Sequence, residues 1–119
     1  MPYVDGYLLV VPKKNLKAYQ RMATTAGKVW REHGALEYKE CVADDIEIKW
    51  GTPYGKLLKL KPGETVFFSY IVYKNRKARD RINAKVMKDP RLAPSMDPNG
   101  MPFDMKRMSM GGFKPVVDL

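Results

Sequence analysis

The stretch Tyr3-Val4-Asp5-Gly6-Tyr7-Leu8-Leu9-Val10-Val11 decides the fold, because it alternates as a β-strand yet is apolar on both of its sides. Residues 65–73, Thr-Val-Phe-Phe-Ser-Tyr-Ile-Val-Tyr, repeat the pattern. A sheet with one layer of helices leaves its second face in water, so strands with two apolar sides imply a second layer. In a chain of 119 residues we expect that layer to be a second copy, which predicts a homodimer.

Two helices and two further strands are predicted around this pair. Apolar positions with alternating spacings of three and four indicate a first helix, which Gly34 ends. They are Leu16, Tyr19, Ala23, Ala26, Trp30 and His33. Residues 35–44 alternate as a strand. Asn75 is a good N-cap for a second helix, which Asp89-Pro90 ends. Its inner face is predicted to contain Ala78, Ile82 and Val86.

The last strand is predicted within residues 106–117, where Gly111-Gly112 indicates a bulge or a close backbone approach. Residues 45–63 and 90–104 are rich in Gly and Pro and are predicted to be connections. The order β-α-β-β-α-β is that of the ferredoxin-like fold, an α+β arrangement with a four-stranded antiparallel sheet and both helices on one face. One domain over residues 1–119 accommodates it.

Several long phrases resemble the YbaA-like family of small bacterial proteins over nearly the whole chain. They are Tyr3-Val4-Asp5-Gly6, Pro12-Lys13-Lys14-Asn15, Glu32-His33-Gly34-Ala35-Leu36-Glu37-Tyr38, Asn83-Ala84-Lys85-Val86-Met87, Asp89-Pro90-Arg91, Met101-Pro102-Phe103-Asp104, Lys106-Arg107-Met108 and Gly111-Gly112-Phe113. Residues 46–60 differ from the sequence that is typical of the family. The resemblance implies a dimeric α+β barrel of the ferredoxin-like kind. The family is one of unknown function, so no catalytic residues carry over.

The composition favours a cytoplasmic protein. The single cysteine, Cys41, cannot form an internal disulfide, which is typical of a reducing compartment, and within a strand we expect its thiol to be buried and inert. The first residues lack a basic segment, and the apolar run 7–11 is too short for a signal peptide or a membrane span. We therefore expect no membrane association.

The net charge of +9 is concentrated on the two predicted helical segments, residues 13–33 and 75–92. A basic helical face can bind RNA, although Lys and Arg also cover ordinary solvated helices. The nucleic-acid candidates are Lys13, Lys14, Lys17, Arg76, Lys77 and Arg79. The RNA-recognition motif shares this element order and uses aromatic residues of the sheet, but the predicted dimer competes for that face.

Three residues are candidates for catalysis. His33 is the only histidine, and as a general base it needs a partner, for which Asp5 and Tyr38 are the candidates. The alternative is a structural histidine at a helix C-terminus. Asp5 lies inside an apolar strand, where a carboxylate is costly unless paired, or it marks a bulge with Gly6.

Five of the eight methionines lie within residues 96–110, and methionine suits a surface that closes over apolar ligands, although it also fills gaps beneath loops. Trp50 and Met108 are the predicted ligand-binding residues. One His and one Cys do not form a usual transition-metal site, and no phosphate-binding or dinucleotide motif is present, so no metal and no cofactor are expected.

These observations rank one function first: binding of a small apolar or aromatic molecule in a pocket of the barrel, extending to its conversion without a cofactor. This ranking rests on analogy with other barrels of the same fold. The alternatives are an RNA-associated protein that uses its basic helices, and a structural dimer without a ligand.

Overall fold

The computed structural model describes residues 1–92 and 101–119. Its elements are β1 (Tyr3–Pro12), α1 (Leu16–Glu32), β2 (Glu37–Val42), α2 (Tyr54–Leu57), β3 (Glu64–Tyr73), α3 (Arg76–Met87) and β4 (Ser109–Phe113). The four strands form one antiparallel sheet in the order β2-β3-β1-β4. The predicted ferredoxin-like α+β fold is therefore confirmed, with α2 as one additional helical turn in the connection before β3.

The central pair of the sheet is long and regular. β1 pairs with β3 from Tyr3 opposite Tyr73 to Pro12 opposite Glu64. On its other side, β1 pairs with β4 without interruption, so the bulge considered at Gly111-Gly112 is absent and the strand ends at Phe113. The alternative, a close approach, is present: a Cβ atom added to Gly112 would collide with the Tyr3 hydroxyl.

The inner face of the sheet is the face that α1 and α3 cover. Leu9 and Val11 of β1 pack with Tyr19, Ala23 and Phe67 in one buried cluster. A second cluster contains the predicted inner face of α3, namely Ala78, Ile82 and Val86, with Ile71 and Tyr73 of β3. Burial of each large apolar side chain contributes about 1.5–3 kcal/mol, which holds the helices on this face. The predicted N-cap is confirmed, because Asn75 Oδ1 accepts a hydrogen bond of 2.8 Å from the Ala78 amide.

The outer face of the sheet is also apolar, as the alternation predicts, but the chain covers it only in part. Val10 and Val66 are buried, whereas Phe68 is 47% exposed and Phe113 is 61% exposed. Cys41, directly opposite Phe68, is exposed rather than buried, because β2 is an edge strand and its outer side is open. The described part of the chain therefore supplies only part of the second layer that the strand pattern predicts.

No helix in residues 1–92 and 101–119 has the length and apolar character needed to cross a membrane.

Candidate ligand-binding cavity

A cavity of about 360 Å³ lies between the inner face of the sheet and the two long helices. Most of its wall is apolar. Its aromatic lining comprises Tyr7, Tyr19, Trp30, Tyr38 and Phe103, and its methionine lining comprises Met22, Met87, Met101, Met105, Met108 and Met110. Four members of the predicted methionine cluster therefore line the cavity. The fifth, Met96, lies outside the described residues.

The polar part of the wall is centred on Glu40 of β2. The Tyr19 hydroxyl donates to Glu40 Oε1 over 2.8 Å, and the Tyr38 hydroxyl donates to Oε2 over 2.7 Å. Ser69, which faces Glu40 across the β2–β3 pair, donates its hydroxyl to Oε1 as well. A single carboxylate thus accepts hydrogen bonds from α1, β2 and β3, and it ties these three elements together at the cavity.

The phenols around this carboxylate are held in their protonated form. Burial is the main cause that raises the pKa of four tyrosines far above the ordinary value of about 10. They are Tyr7, Tyr19, Tyr38 and Tyr73, called the high-pKa tyrosines below. For Tyr19 and Tyr38, the negative charge of Glu40 raises the pKa further, because it opposes a second negative charge nearby. These hydroxyls therefore act as hydrogen-bond donors toward Glu40.

A second polar group lies where α1, β3 and α3 meet. The Trp30 indole nitrogen donates to the Tyr73 hydroxyl at 3.1 Å and to Asn83 Oδ1 at 3.0 Å. The Tyr73 hydroxyl donates in turn to Asn83 Oδ1 at 3.1 Å. Trp30 and Asn83 both line the cavity, so this network fixes part of its aromatic wall.

The position of Tyr38 depends on a glycine in α1. A Cβ atom at Gly27 would lie 2.7 Å from Cδ1 and 2.9 Å from Cε1 of the Tyr38 ring. The Trp30 ring, 6.0 Å away between centroids, packs on the same tyrosine. The helix can therefore approach β2 closely enough to enclose the cavity only because residue 27 has no side chain.

Two of the predicted site residues line the cavity, namely Tyr38 and Met108. His33 does not. It follows α1, and its Nε2 atom lies 3.1 Å from Asp89 Oδ2. The Arg91 side chain, its backbone amide and the His33 ring all bond to Asp89, and they lower the pKa of that carboxyl. The partner of His33 among the described residues is therefore Asp89 rather than Asp5 or Tyr38, and its catalytic role stays a prediction.

Asp5 is completely buried on the inner face of β1, in a regular strand pair rather than at a bulge. Its Oδ1 atom lies 3.3 Å from an Arg79 nitrogen, and the Arg79 guanidinium stacks over the Tyr3 ring at 4.8 Å. This ion pair joins α3 to β1, and Asp5 is not one of the cavity-lining residues. The structure thus separates His33, Asp5 and Tyr38 and gives each a different partner.

The other predicted residues lie at the surface. Trp50, predicted to bind a ligand, is 85% exposed in the connection after β2 and is not part of the cavity wall. The nucleic-acid candidates Lys13, Lys14, Lys17, Arg76 and Lys77 are exposed. Arg79 differs from them, because its guanidinium is paired with Asp5 and with Asp80. In the described ranges, no group of three or more His, Cys, Asp or Glu side chains is placed to hold a metal ion.

Glu40 is the residue that the sequence pattern contained but that the prediction did not select. Side chains of a strand alternate with a period of two, so a strand over residues 35–44 places Glu40 on the same side as Tyr38. A glutamate on the core side of a strand is unusual, and it is a signal of function or of a polar network.

The family described as a protein of unknown function, DUF1428, matches residues 2–105. The chain belongs to the DUF1428 family. The uncharacterized protein YbaA of Escherichia coli strain K12 is 40% identical over 118 residues, with 99% of each chain covered. The YbaA-like resemblance is therefore confirmed, and the cavity described above is a cavity of a DUF1428 protein.

Solved structures with the same fold share little sequence with this DUF1428 chain. A dimeric ferredoxin-like protein from an uncultured marine organism has a TM-score of 0.61, with 10% identity and full coverage of both chains. A NIPSNAP family protein of unknown function from Agrobacterium tumefaciens has a TM-score of 0.59 and 13% identity, covering 96% of this chain and 87% of its own. SnoaB from Streptomyces nogalater, a cofactor-independent oxygenase, has a TM-score of 0.56 and 13% identity, covering 99% and 96%. At these identities the likeness shows the fold alone.

Proposed function

We propose that this DUF1428 protein binds a small, largely apolar or aromatic organic molecule in the cavity between its sheet and its helices. The observation that carries the proposal is the cavity itself, about 360 Å³ in volume and lined mainly by aromatic and methionine side chains. Ligand pockets have volumes of roughly 300–1,000 Å³ and combine apolar walls with a few convergent polar groups. Glu40, together with the three hydroxyl groups that donate to it, supplies such a polar group at one wall.

The chemistry of the lining supports a ligand rather than a permanently packed core. Met101, Met105, Met108 and Met110 come from one segment at the end of the chain and line the cavity together. Methionine side chains are unbranched and polarizable, and they adapt to ligands of different shape. The hydroxyls of Tyr19, Tyr38 and Ser69 hold the Glu40 carboxylate in place. That carboxylate would in turn fix the orientation of the bound molecule.

Native mass spectrometry of the purified protein with a metabolite extract tests the proposal. We expect a bound mass of a small molecule on the wild type. Ala26→Phe adds a ring to a residue that lines the cavity, and it should reduce the bound fraction at least tenfold. Ala84→Phe, on the exposed side of α3, is the matched control and should bind like the wild type. No bound mass, together with equal behaviour of both variants, would support the structural dimer without a ligand.

We extend the proposal to conversion of the ligand without a bound cofactor. The Glu40 carboxylate and the Tyr38 hydroxyl lie 2.7 Å apart in the cavity wall and form a base and a donor that can exchange a proton with a bound molecule. The cofactor-independent oxygenase SnoaB shares the fold and motivates the test. Proton abstraction and return would isomerise the ligand without changing its mass, so liquid chromatography with mass spectrometry should show a new compound, by its retention or its mass, after incubation. A ligand unaltered in both retention and mass would restrict the function to binding.

We also propose that the protein works as a homodimer through the outer face of its sheet. Phe68 and Phe113 are about half exposed there, on a face where a second copy would supply the missing layer. The dimeric ferredoxin-like neighbour has the same fold. Phe68→Glu should convert a dimer to a monomer in sedimentation analysis. Leu36→Glu, equally exposed but beside α1, should remain dimeric. A wild type that sediments as a compact monomer would refute this part.

RNA binding through the basic helices remains the second proposed function, supported by the exposure of Lys13, Lys14, Lys17, Arg76 and Lys77. Such binding would be mostly nonspecific and would weaken steeply with salt. Gel shifts at rising salt test it, because no retardation at low ionic strength would exclude it.

A further inference from the structure

We propose that the cavity selects organic amines, that is, ligands with a protonated amino group attached to an aromatic or apolar body. This inference rests on the proposed function of the cavity and names the class of molecule that it binds. It follows from the charge of the wall. In the part of the chain that the structure describes, Glu40 is the only charged residue among those that line the cavity.

Within the described residues, Glu40 forms no ion pair. Its three hydrogen-bond partners are neutral hydroxyls. Residues 93–100, with the sequence Ala-Pro-Ser-Met-Asp-Pro-Asn-Gly, contain no Lys, Arg or His that could supply a counterion. Glu40 is partly buried, and a carboxylate that is partly withdrawn from water loses hydration that a nearby cation can replace. A cationic ligand would provide that cation.

Asp5, the other carboxylate on the inner face of the sheet, has a different environment. Asp5 is completely buried and is paired with Arg79 at 3.3 Å, so the chain supplies a cation where the carboxylate has a structural role. At Glu40 the chain supplies hydroxyl donors and a cavity instead. The contrast indicates that the cation at Glu40 comes from outside the chain.

Glu40 also has room for a further donor. A carboxylate has about four acceptor positions. Within the described residues, Oε1 accepts from Tyr19 and Ser69, whereas Oε2 accepts only from Tyr38. An ammonium group of a ligand can donate to the remaining position of Oε2. The rings of Tyr38 and Trp30 line the same cavity, where an aromatic ring can add cation–π attraction for an ammonium group and apolar contact for the body of the ligand.

Isothermal titration calorimetry at pH 7 with three probes of similar size tests this inference. The probes are 2-phenylethylamine, a cation; 2-phenylethanol, which is neutral; and phenylacetate, an anion. We expect the amine to bind at least tenfold more tightly than the alcohol, and phenylacetate to bind most weakly. Glu40→Gln should reduce the affinity for the amine to that for the alcohol, while the affinity for the alcohol changes by less than twofold.

Glu37→Gln is the matched control, because it removes the same charge from the same strand at an exposed position on the other face. It should leave all three affinities unchanged. Equal affinities of the wild type for amine and alcohol would overturn the inference, and this comparison needs no variant to fold. Persistence of the preference in a folded Glu40→Gln protein would overturn it too.

Ethylbenzene, an apolar probe without a polar group, separates this inference from the proposed function. If ethylbenzene and the alcohol bind but the amine is not preferred, the cavity is a ligand site and only the amine selectivity is refuted. If none of the four probes binds, both proposals fail.

Discussion

Replacement of Gly27 by alanine tests how the cavity is enclosed. The new methyl group would lie 2.7 Å and 2.9 Å from two ring carbons of Tyr38, well inside van der Waals contact. The ring cannot move freely, because its hydroxyl donates to Glu40 at 2.7 Å and Trp30 packs beside it. Either α1 shifts away from β2 or the Tyr38–Glu40 hydrogen bond is strained.

The expected change in the free energy of unfolding combines two destabilising contributions and one stabilising contribution. Overpacking of a filled site costs about 1–3 kcal/mol. Weakening of the Tyr38–Glu40 hydrogen bond costs about 1 kcal/mol more. Exchange of glycine for alanine inside a helix contributes about 1 kcal/mol in the opposite direction. We therefore expect Gly27→Ala to lower the free energy of unfolding by about 1–3 kcal/mol.

Urea denaturation at a fixed protein concentration measures this change. Gly55→Ala is the control, since a Cβ atom there would meet Leu60 at an ordinary 3.7 Å, and the substitution should be neutral or slightly stabilising. In a Tyr38→Ala background the obstacle is absent, so Gly27→Ala should stabilise the protein by about 1 kcal/mol. A Gly27→Ala protein as stable as the wild type, or no change of sign in the Tyr38→Ala background, would refute the close approach of α1 to β2.

Three further predictions concern charges and ionisation. Arg79→Ala leaves the buried Asp5 carboxylate unpaired and should lower the free energy of unfolding, measured by urea denaturation, by about 3–5 kcal/mol. Arg76→Ala, at an exposed position of the same helix, is the control and should change it by less than about 0.5 kcal/mol. Similar losses in both variants would contradict a structural ion pair. Because desolvation raises the pKa of the four high-pKa tyrosines, absorbance titration of the native protein to about pH 11 should ionise no more than three of its seven tyrosines. Stability should fall above about pH 10, since the tyrosines of the unfolded chain ionise first. A fourth tyrosine that ionises in the folded state would contradict this prediction. The pKa of Asp89 is lowered in the fold by Arg91 and His33, so its contribution to stability is present above the unfolded pKa of about 3.9 and is lost as the pH falls through the lower folded pKa. The stability advantage of the wild type over Asp89→Asn should therefore narrow below about pH 4, and a difference that is constant from pH 7 to pH 3 would show that the carboxylate charge is not responsible.

The four strands and the two long helices of this fold were predictable because each has a local signal, whereas the single turn α2 was not predicted. Period-two alternation identified the strands of residues 3–11 and 65–73, and the side chain of Asn75 marked the start of α3. The local sequence pattern was ambiguous at one place in β4. Glycines at 111 and 112 indicated a bulge or a close approach with equal justification, and only the pairing with β1 decided for the close approach.

The candidate site was less predictable, because it depends on residues that are distant in sequence. The His33 ring forms a hydrogen bond with Asp89, which is 56 residues away in the sequence and follows the end of α3. Trp50 has the chemistry of a ligand-binding residue but lies in a connection that leaves it in solvent. Residue type alone could not distinguish it from Tyr38, which the inner face of β2 directs into the cavity.

By itself, the sequence determined the order of the strands and helices, the apolar character of both sheet faces and the family, since these depend on side-chain period and on phrases read along the chain. Only the tertiary structure decided which polar groups meet. Glu40 gathers hydroxyls from Tyr19 and Ser69, which are 21 and 29 residues distant, and Asp5 pairs with Arg79. The physical reason is that a hydrogen bond or an ion pair forms only within a few ångströms, and that distance is set by how helices cross a sheet rather than by spacing along the chain.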